Sequence, residues 1–277
     1  MKIFETIEQV QIFIKDAKQH NKSIGFVPTM GALHRGHMSL VREARQHNDV
    51  VVVSIFVNPI QFNNPDDLKK YPRTLEQDAA MLKNEACDII FYPTVEEMYP
   101  QKETKEYDFG ELATVLEGAC RPGHFNGVGI VVKKLFDIVN ADTAYFGKKD
   151  FQQLAIIRKL VQIENIPIEI MACETRREKN GLAMSSRNRR LSEQDRLVAP
   201  KIYQMLEMVK TEKKHKTPQE AEAQALKELQ ADFNTEYFKI ADGHSLQPIK
   251  NWSDTDYPVA LVAAFLGDVR LIDNLEL

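Results

Sequence analysis

Along the first two thirds of the chain, short runs of consecutive apolar residues alternate with longer stretches whose apolar positions recur at helical spacing. Residues 23–28 read as a strand, 36–47 as a helix and 50–56 as a second strand. The last of these, VVVVSIF, has no polar alternation, as expected of a parallel strand covered by helices on both faces, so it belongs at the centre of a sheet. Residues 74–84 have helical spacing with Thr74 as N-cap, and 88–92 return as a strand ending at Pro93. After a less regular stretch near 102–108, residues 128–139 read as a buried helix, 143–146 as a strand, 150–164 as a helix and 168–172 as a strand. This rhythm predicts an α/β fold, a Rossmann-like open parallel sheet with helices on both faces.

Beyond Ala172 the pattern changes. A helix over 192–210, a lysine-rich turn KKHKTP, a helix over 218–232 and strand-like segments at 235–240, 259–265 and 269–275 predict a smaller α+β C-terminal domain. With no internal repeat, the expected division is 1–175 and 176–277.

The 277 residues are 43% hydrophobic and 27% charged, which excludes disordered and low-complexity classes. A net charge of -4 argues against general adhesion to nucleic acid or to anionic membrane, so an anionic ligand must be caught locally. Residues 175–190, with six basic side chains against one acidic, offer such a place. The N-terminus has no long apolar region, and the longest apolar runs, at 50–57 and 259–266, fall short of the ~18 residues of a membrane span, so a cytoplasmic protein is expected. Cys87, Cys120 and Cys173 lack C-x-x-C spacing and read as buried thiols.

Candidate chemistry begins at residues 28–37, a strand end and a glycine-containing turn feeding a helix. This geometry is expected to leave backbone N–H groups and the positive helix end facing the mouth of the sheet, where phosphates bind. Gly31 and Gly36 permit close backbone approach, and His34 and His37 can project from one side of the first turn. Two histidines near a helix start are otherwise incidental surface residues. Against that, neither is needed to end a strand or cap a helix. Gln61, just past the second strand, can donate and accept at once, which suits a hydroxy acid; the plainer role is a loop amide bonded to its own backbone. Gly147-Lys-Lys-Asp150 repeats the strand-to-helix geometry, with a solvated lysine pair as the alternative. Met184-Ser-Ser-Arg187 offers a guanidinium fork and two hydroxyls, or else a basic linker between domains.

H-x-G-H after a first strand resembles the signature of the nucleotidylyltransferase superfamily. VPTMGALHRGH, SIFVNPIQF, YPRTLEQD, RPGHFNGV, YFGKKDFQQ and GLAMSSRN occur in the order found in the pantoate–β-alanine ligase family, a resemblance running from about residue 24 to about 192 and more weakly to the end. It implies an ATP-dependent ligase that forms pantoyl-adenylate and pyrophosphate and then lets the β-alanine amine displace AMP. His37, His34, Lys149 and Arg187 match the catalytic positions, with His37 as general acid or as charge stabiliser. ATP would meet Met30, Gly31, Ala32, Leu33, His34, Arg35, Gly36 and His37, then Gly147, Lys148, Lys149 and Asp150, then Met184, Ser185, Ser186 and Arg187. Arg176 stands where the family commonly has a small apolar residue whose backbone contacts adenine. Gln61 and Gln153 match pantoate contacts, Gln61 lies close to the β-alanine site, and Arg121 and His124 line the pantoate side or shape a loop.

No metal ligand is implied. Mg²⁺ is expected as the ATP counterion, held mainly by phosphates and water with Asp78 nearby. The resemblance further implies a homodimer through the N-terminal domain, and Gly181, beside Met184–Arg187 at the domain junction, is expected in a hinge that closes the C-terminal lid over ATP. Two other readings are a nucleotidylyltransferase acting on a phosphate-bearing substrate, which leaves the NPIQF and RPGHF segments unexplained, and an RNA-binding or nucleotide-sensing module, which the acidic net charge and the lack of an aromatic-rich RNA platform disfavour.

Overall fold

The computed structural model describes residues 1–63 and 65–277. The chain forms two compact units, Met1–Lys148 with Gln153–Glu174, and Lys149–Gln152 with Thr175–Leu277. The first unit begins with β1 (Lys2–Phe4), α1 (Ile7–Gln19), β2 (Ile24–Thr29), α2 (Arg35–His47) and β3 (Val50–Ile55). It continues through α3 (Pro65–Lys70), α4 (Leu75–Asn84), β4 (Ile89–Phe91), α5 (Val95–Met98), α6 (Leu116–Cys120) and α7 (His124–Val139). β5 (Thr143–Gly147), most of α8 (Phe151–Ile163) and β6 (Glu169–Cys173) complete it.

Among the described residues six strands form one parallel sheet in the order β1-β4-β3-β2-β5-β6. Alternation along β3 shows why it is covered on both sides. Val50 and Val52 pack with Val10 and Ile14 of α1, Val128 and Leu135 of α7 and Ile157 of α8, whereas Val51, Val53 and Ile55 pack with Met38 and Val41 of α2 and Leu82 of α4. The strand order reverses between β2 and β5, and the carboxyl ends of two such strands are where an open α/β sheet leaves a crevice.

The second unit contains α9 (Glu193–Val198), α10 (Lys201–Glu212), α11 (Pro218–Leu229), β7 (Asn234–Asp242), β8 (Pro258–Leu266) and β9 (Val269–Glu276). Its strands make an antiparallel sheet, β7-β8-β9, whose apolar face packs on Ile202, Leu206 and Val209 of α10 and Ala221, Ala225 and Leu229 of α11.

Three element readings need correction. The helix expected over 192–210 is two helices, because Pro200 has no N–H to continue α9 and instead precedes α10 as its N-cap. The helix expected from residue 128 starts at His124, after Gly123 at φ +80°, so His124 lies on a helix and not in a loop. β1 and α1 had no counterpart in the sequence reading: β1 is three residues long, and α1 follows a capping box in which Thr6 and Gln9 bond each other's backbone N–H.

Candidate active site

β2 delivers the chain into a turn with an unusual backbone: Gly31 has φ +82° and Ala32 φ +51°. A Cβ at Gly31 would lie 2.9 Å from Ile55 Cγ2, so glycine is required by conformation and by space. Ala32 carries the strain of a left-handed non-glycine residue and is held there by Asp78, a carboxylate on α4 that is 1% exposed. Asp78 Oδ2 accepts from Ala32 N (2.9 Å), and Oδ1 accepts from Leu33 N (2.8 Å) and from Thr74 Oγ1 (3.2 Å). Thr74 occupies the N-cap position as expected but turns its hydroxyl to Asp78, with no side-chain cap bond. Gly31 N donates to Thr29 Oγ1 at 3.2 Å.

The expectation of unpaired N–H groups in this turn is therefore overturned for residues 31–33, whose donors are taken by protein oxygens. The expectation that neither histidine caps a helix is also overturned. His34 is the N-cap of α2: its Nδ1 accepts from Gly36 N (3.1 Å), and His37 Nδ1 accepts from His34 N (3.3 Å) in a reciprocal box. An Nδ1 that accepts carries no hydrogen, which assigns the ring hydrogen of both imidazoles to Nε2. The rings lie with centroids 4.0 Å apart. The pair thus forms one fixed unit at the start of α2, with two Nε2–H groups as its donors.

The amide pocket lies in the same unit. Asn58, 1% exposed, donates from Nδ2 to Gln61 Oε1 and to Gly127 O, each at 3.1 Å, and its Oδ1 accepts from Tyr99 Oη at 2.9 Å. Gln61 Nε2 in turn reaches Met30 Sδ at 3.1 Å. The Gln61 side chain therefore does not bond its own backbone; it touches Met30, the first residue of the turn that follows β2. Burial, with Glu103 nearby, pushes the Tyr99 phenol well above its ordinary range, so it stays a neutral donor. The Gln61 carbonyl lies 2.8 Å from His124 Nδ1, and His124 Nε2 lies 3.0 Å from an Arg121 nitrogen. Asn58 lies in the Asn58–Phe62 segment that the sequence points to as a pocket, though without a role of its own there, whereas Tyr99 was missed because nothing local singles it out. Gln153, on α8, is partly buried.

Gly147 ends β5 with open space where a Cβ would stand, and Lys148 pairs with Glu174 at 2.6 Å, so it is not a merely solvated lysine. In the second unit Lys149 lies 3.3 Å from Asp150 Oδ1, and its carbonyl accepts from Asn274 Nδ2 at 2.8 Å. Residues 176–184 double back on themselves. Met184 N donates to Arg176 O (2.9 Å), Glu178 N to Leu182 O (2.8 Å), and Gly181 N to Glu178 O (3.0 Å). Gly181, expected in a hinge, has φ +94° and room for no Cβ, since one would lie 2.6 Å from Tyr203 Cδ1. Ser185 follows as the N-cap of a short 3-10 turn, its Oγ accepting from Arg187 N at 3.3 Å.

Arg177, counted only as part of a basic run, is committed to a carboxylate the sequence did not link to it. It forms a bidentate pair with Asp273 at 2.5 and 3.0 Å and lies over the Tyr203 ring at 3.8 Å. Burial pushes the Asp273 carboxyl above its ordinary range, while the guanidinium pulls the other way. Of the cysteines, Cys87 and Cys173 are buried as expected, and burial pushes the Cys87 thiol up to about 12; Cys120 is exposed, against expectation.

β2 thus runs at its carboxyl end into a histidine-capped helix, with a buried amide pocket against the same turn, the position where open α/β sheets bind ligands. The family model for pantoate-beta-alanine ligase matches residues 2–276. A pantothenate synthetase of Porphyromonas gingivalis is 49% identical over 278 residues, spanning 100% of this chain and 99% of that one, and one of Phocaeicola vulgatus is 50% identical over 281 residues with the same coverage. Among solved structures, pantothenate synthetase from Thermus thermophilus superposes with a TM-score of 0.93 at 40% identity, over 100% of this chain and 99% of that one. The pantoate-beta-alanine ligase from Francisella tularensis, solved with beta-gamma ATP and beta-alanine, gives 0.83 at 38% identity, over 100% and 97%. The chain belongs to the pantoate–β-alanine ligase family.

Proposed function

We propose that the protein joins pantoate to β-alanine in two steps. A pantoate carboxylate oxygen attacks the α-phosphorus of ATP, the bond from that phosphorus to the bridging oxygen breaks, and pyrophosphate leaves. The β-alanine amine then attacks the acyl carbon of pantoyl-adenylate, the acyl–oxygen bond breaks, AMP leaves and the amine gives up a proton. The carrying observation is the contact of Gln61 with Met30, which joins the proposed pantoate amide to the proposed nucleotide turn within one unit. Family membership over nearly the whole chain favours the ligase over a nucleotidylyltransferase that stops at the first step.

In this reading the Nε2–H groups of His34 and His37, together with Lys149 and Arg187, neutralise charge growing on the phosphate oxygens. The segments 30–37 and 147–150, Arg176 and residues 184–187 hold ATP. Gln61 and Gln153 hold pantoate, and Gln61 also serves β-alanine. Mg²⁺ enters with ATP, carried by phosphates and water. Asp78 fits a structural role better than that of a ligand, because both its oxygens already accept backbone N–H groups. The division into 1–175 and 176–277, a homodimer and a cytoplasmic setting belong to the same proposal; among the described residues no helix is long and apolar enough to cross a membrane.

The test omits each substrate in turn. Pantoate with ATP should release pyrophosphate, and AMP should appear only when β-alanine is added. Failure of pantoate to support pyrophosphate release overturns the proposal.

A further inference from the structure

What fixes Lys149 is a strand near the other end of the sequence. Asn274 on β9 is 6% exposed, and its Nδ2 donates to the Lys149 carbonyl at 2.8 Å. Asn274 is itself held: its backbone N–H donates to Asp273 Oδ1 at 2.8 Å, and its carbonyl accepts from Arg177 at 3.2 Å. Arg177 also grips both oxygens of Asp273, donates to Gly181 O at 3.1 Å and stacks on Tyr203. An amide buried among such partners has little freedom to swing. Lys149 lies in a three-residue 3-10 turn, Lys148–Asp150, that links β5 directly to α8. Asn274 adds to this turn a hydrogen bond from 125 residues away in the sequence.

We propose that Asn274 is a positioning residue of the ligase: its amide pins the Lys149 peptide so that the ammonium is presented to the phosphates of ATP. The proposal rests on reading Lys149 as a phosphate contact. A flexible four-carbon stem reaches the same point reproducibly only if its root is fixed, and small displacements of a charged group are costly in a reaction governed by positioning.

The experiment compares Asn274→Leu, close in volume but without the donor, Lys149→Ala and the double variant in the full-length protein. Pyrophosphate release is measured against ATP concentration, and AMP release from supplied pantoyl-adenylate against β-alanine concentration. Asn274→Leu is expected to lower kcat/KM for ATP about tenfold, the scale of one lost buried hydrogen bond, with the β-alanine KM unchanged. In the Lys149→Ala background it should add little, because both changes act through one side chain. Should Asn274→Leu fail to fold, Asn274→Ala is read in the same way. Equal losses in both half-reactions, an unchanged ATP dependence, or a full additional loss in the double variant would overturn the proposal. Wild-type ATP kinetics in Lys149→Ala would instead overturn the phosphate-contact reading beneath it.

Discussion

Asp78 shows how a single side chain shapes the turn after β2, since it takes up two backbone N–H groups, those of Ala32 and Leu33. Asp78→Asn keeps the shape but presents an NH₂ where one backbone N–H needs an acceptor. A loss on the order of 2 kcal/mol is expected, read by urea unfolding, together with slower pyrophosphate release. Unfolding at the wild-type midpoint would show that the turn holds itself. The histidine pair carries a second prediction. Because both Nδ1 atoms are occupied as cap acceptors, His37 is suited to donate a hydrogen bond from Nε2 rather than to cycle through imidazolium, which would break the cap. His37→Ala should lower adenylate formation about 10²–10³-fold, whereas His37→Gln, which keeps a donor at similar reach, should recover part of it. Equal inactivity of the two variants would point to proton transfer.

At the scale of elements, α7 approaches the amide pocket backbone to backbone. A Cβ at Gly127 would lie 2.7 Å from Ile60 O and 2.8 Å from Gln61 Cα, and neither neighbour is a flexible side-chain end that could yield. Gly127→Ala should therefore push the Pro59–Gln61 turn aside and weaken the Asn58 bond to Gly127 O. A several-fold rise in the pantoate KM is expected, with a smaller change in the ATP KM; steady-state kinetics with each substrate varied separates them. An equal rise in both would mean that the helix shift spreads to the H-x-G-H turn.

For the whole molecule, formal charge proves a poor guide to available charge. The basic run of residues 175–190 counts Arg177, yet that guanidinium is spent on Asp273, 96 residues away. The pH dependence of stability is expected to have a more local source at Asp242. Burial tends to raise the Asp242 pKa, but hydrogen bonds from the Ser245 and Thr255 hydroxyls and the Ser245 N–H prevail and lower it to about 2 from the ordinary 3.8. The folded carboxylate is favoured, so its contribution is complete above the ordinary value and fades as the pH falls through about 2. Thermal unfolding followed from pH 6 to pH 2 should show a steep acid loss in the wild type and a shallower one in Asp242→Asn. Parallel curves would remove Asp242 as a source of the slope.

Apolar runs and helical spacing by themselves determined the parallel α/β layout, the change of architecture past residue 172 and the glycine-marked turns, because those patterns repeat within a few residues. The same local motifs determined the family and named His34, His37, Gln61, Lys149 and Arg187 as candidates. The split of α9 from α10 was also local, at Pro200, and was passed over because apolar spacing continues across it. The partners that hold the candidates had no local signal. Asp78 meets Ala32 from 46 residues away and Asn274 meets Lys149 from 125. Hydrogen bonds of that range leave no periodicity, so only the tertiary structure decided which polar groups of the turns the fold itself pairs.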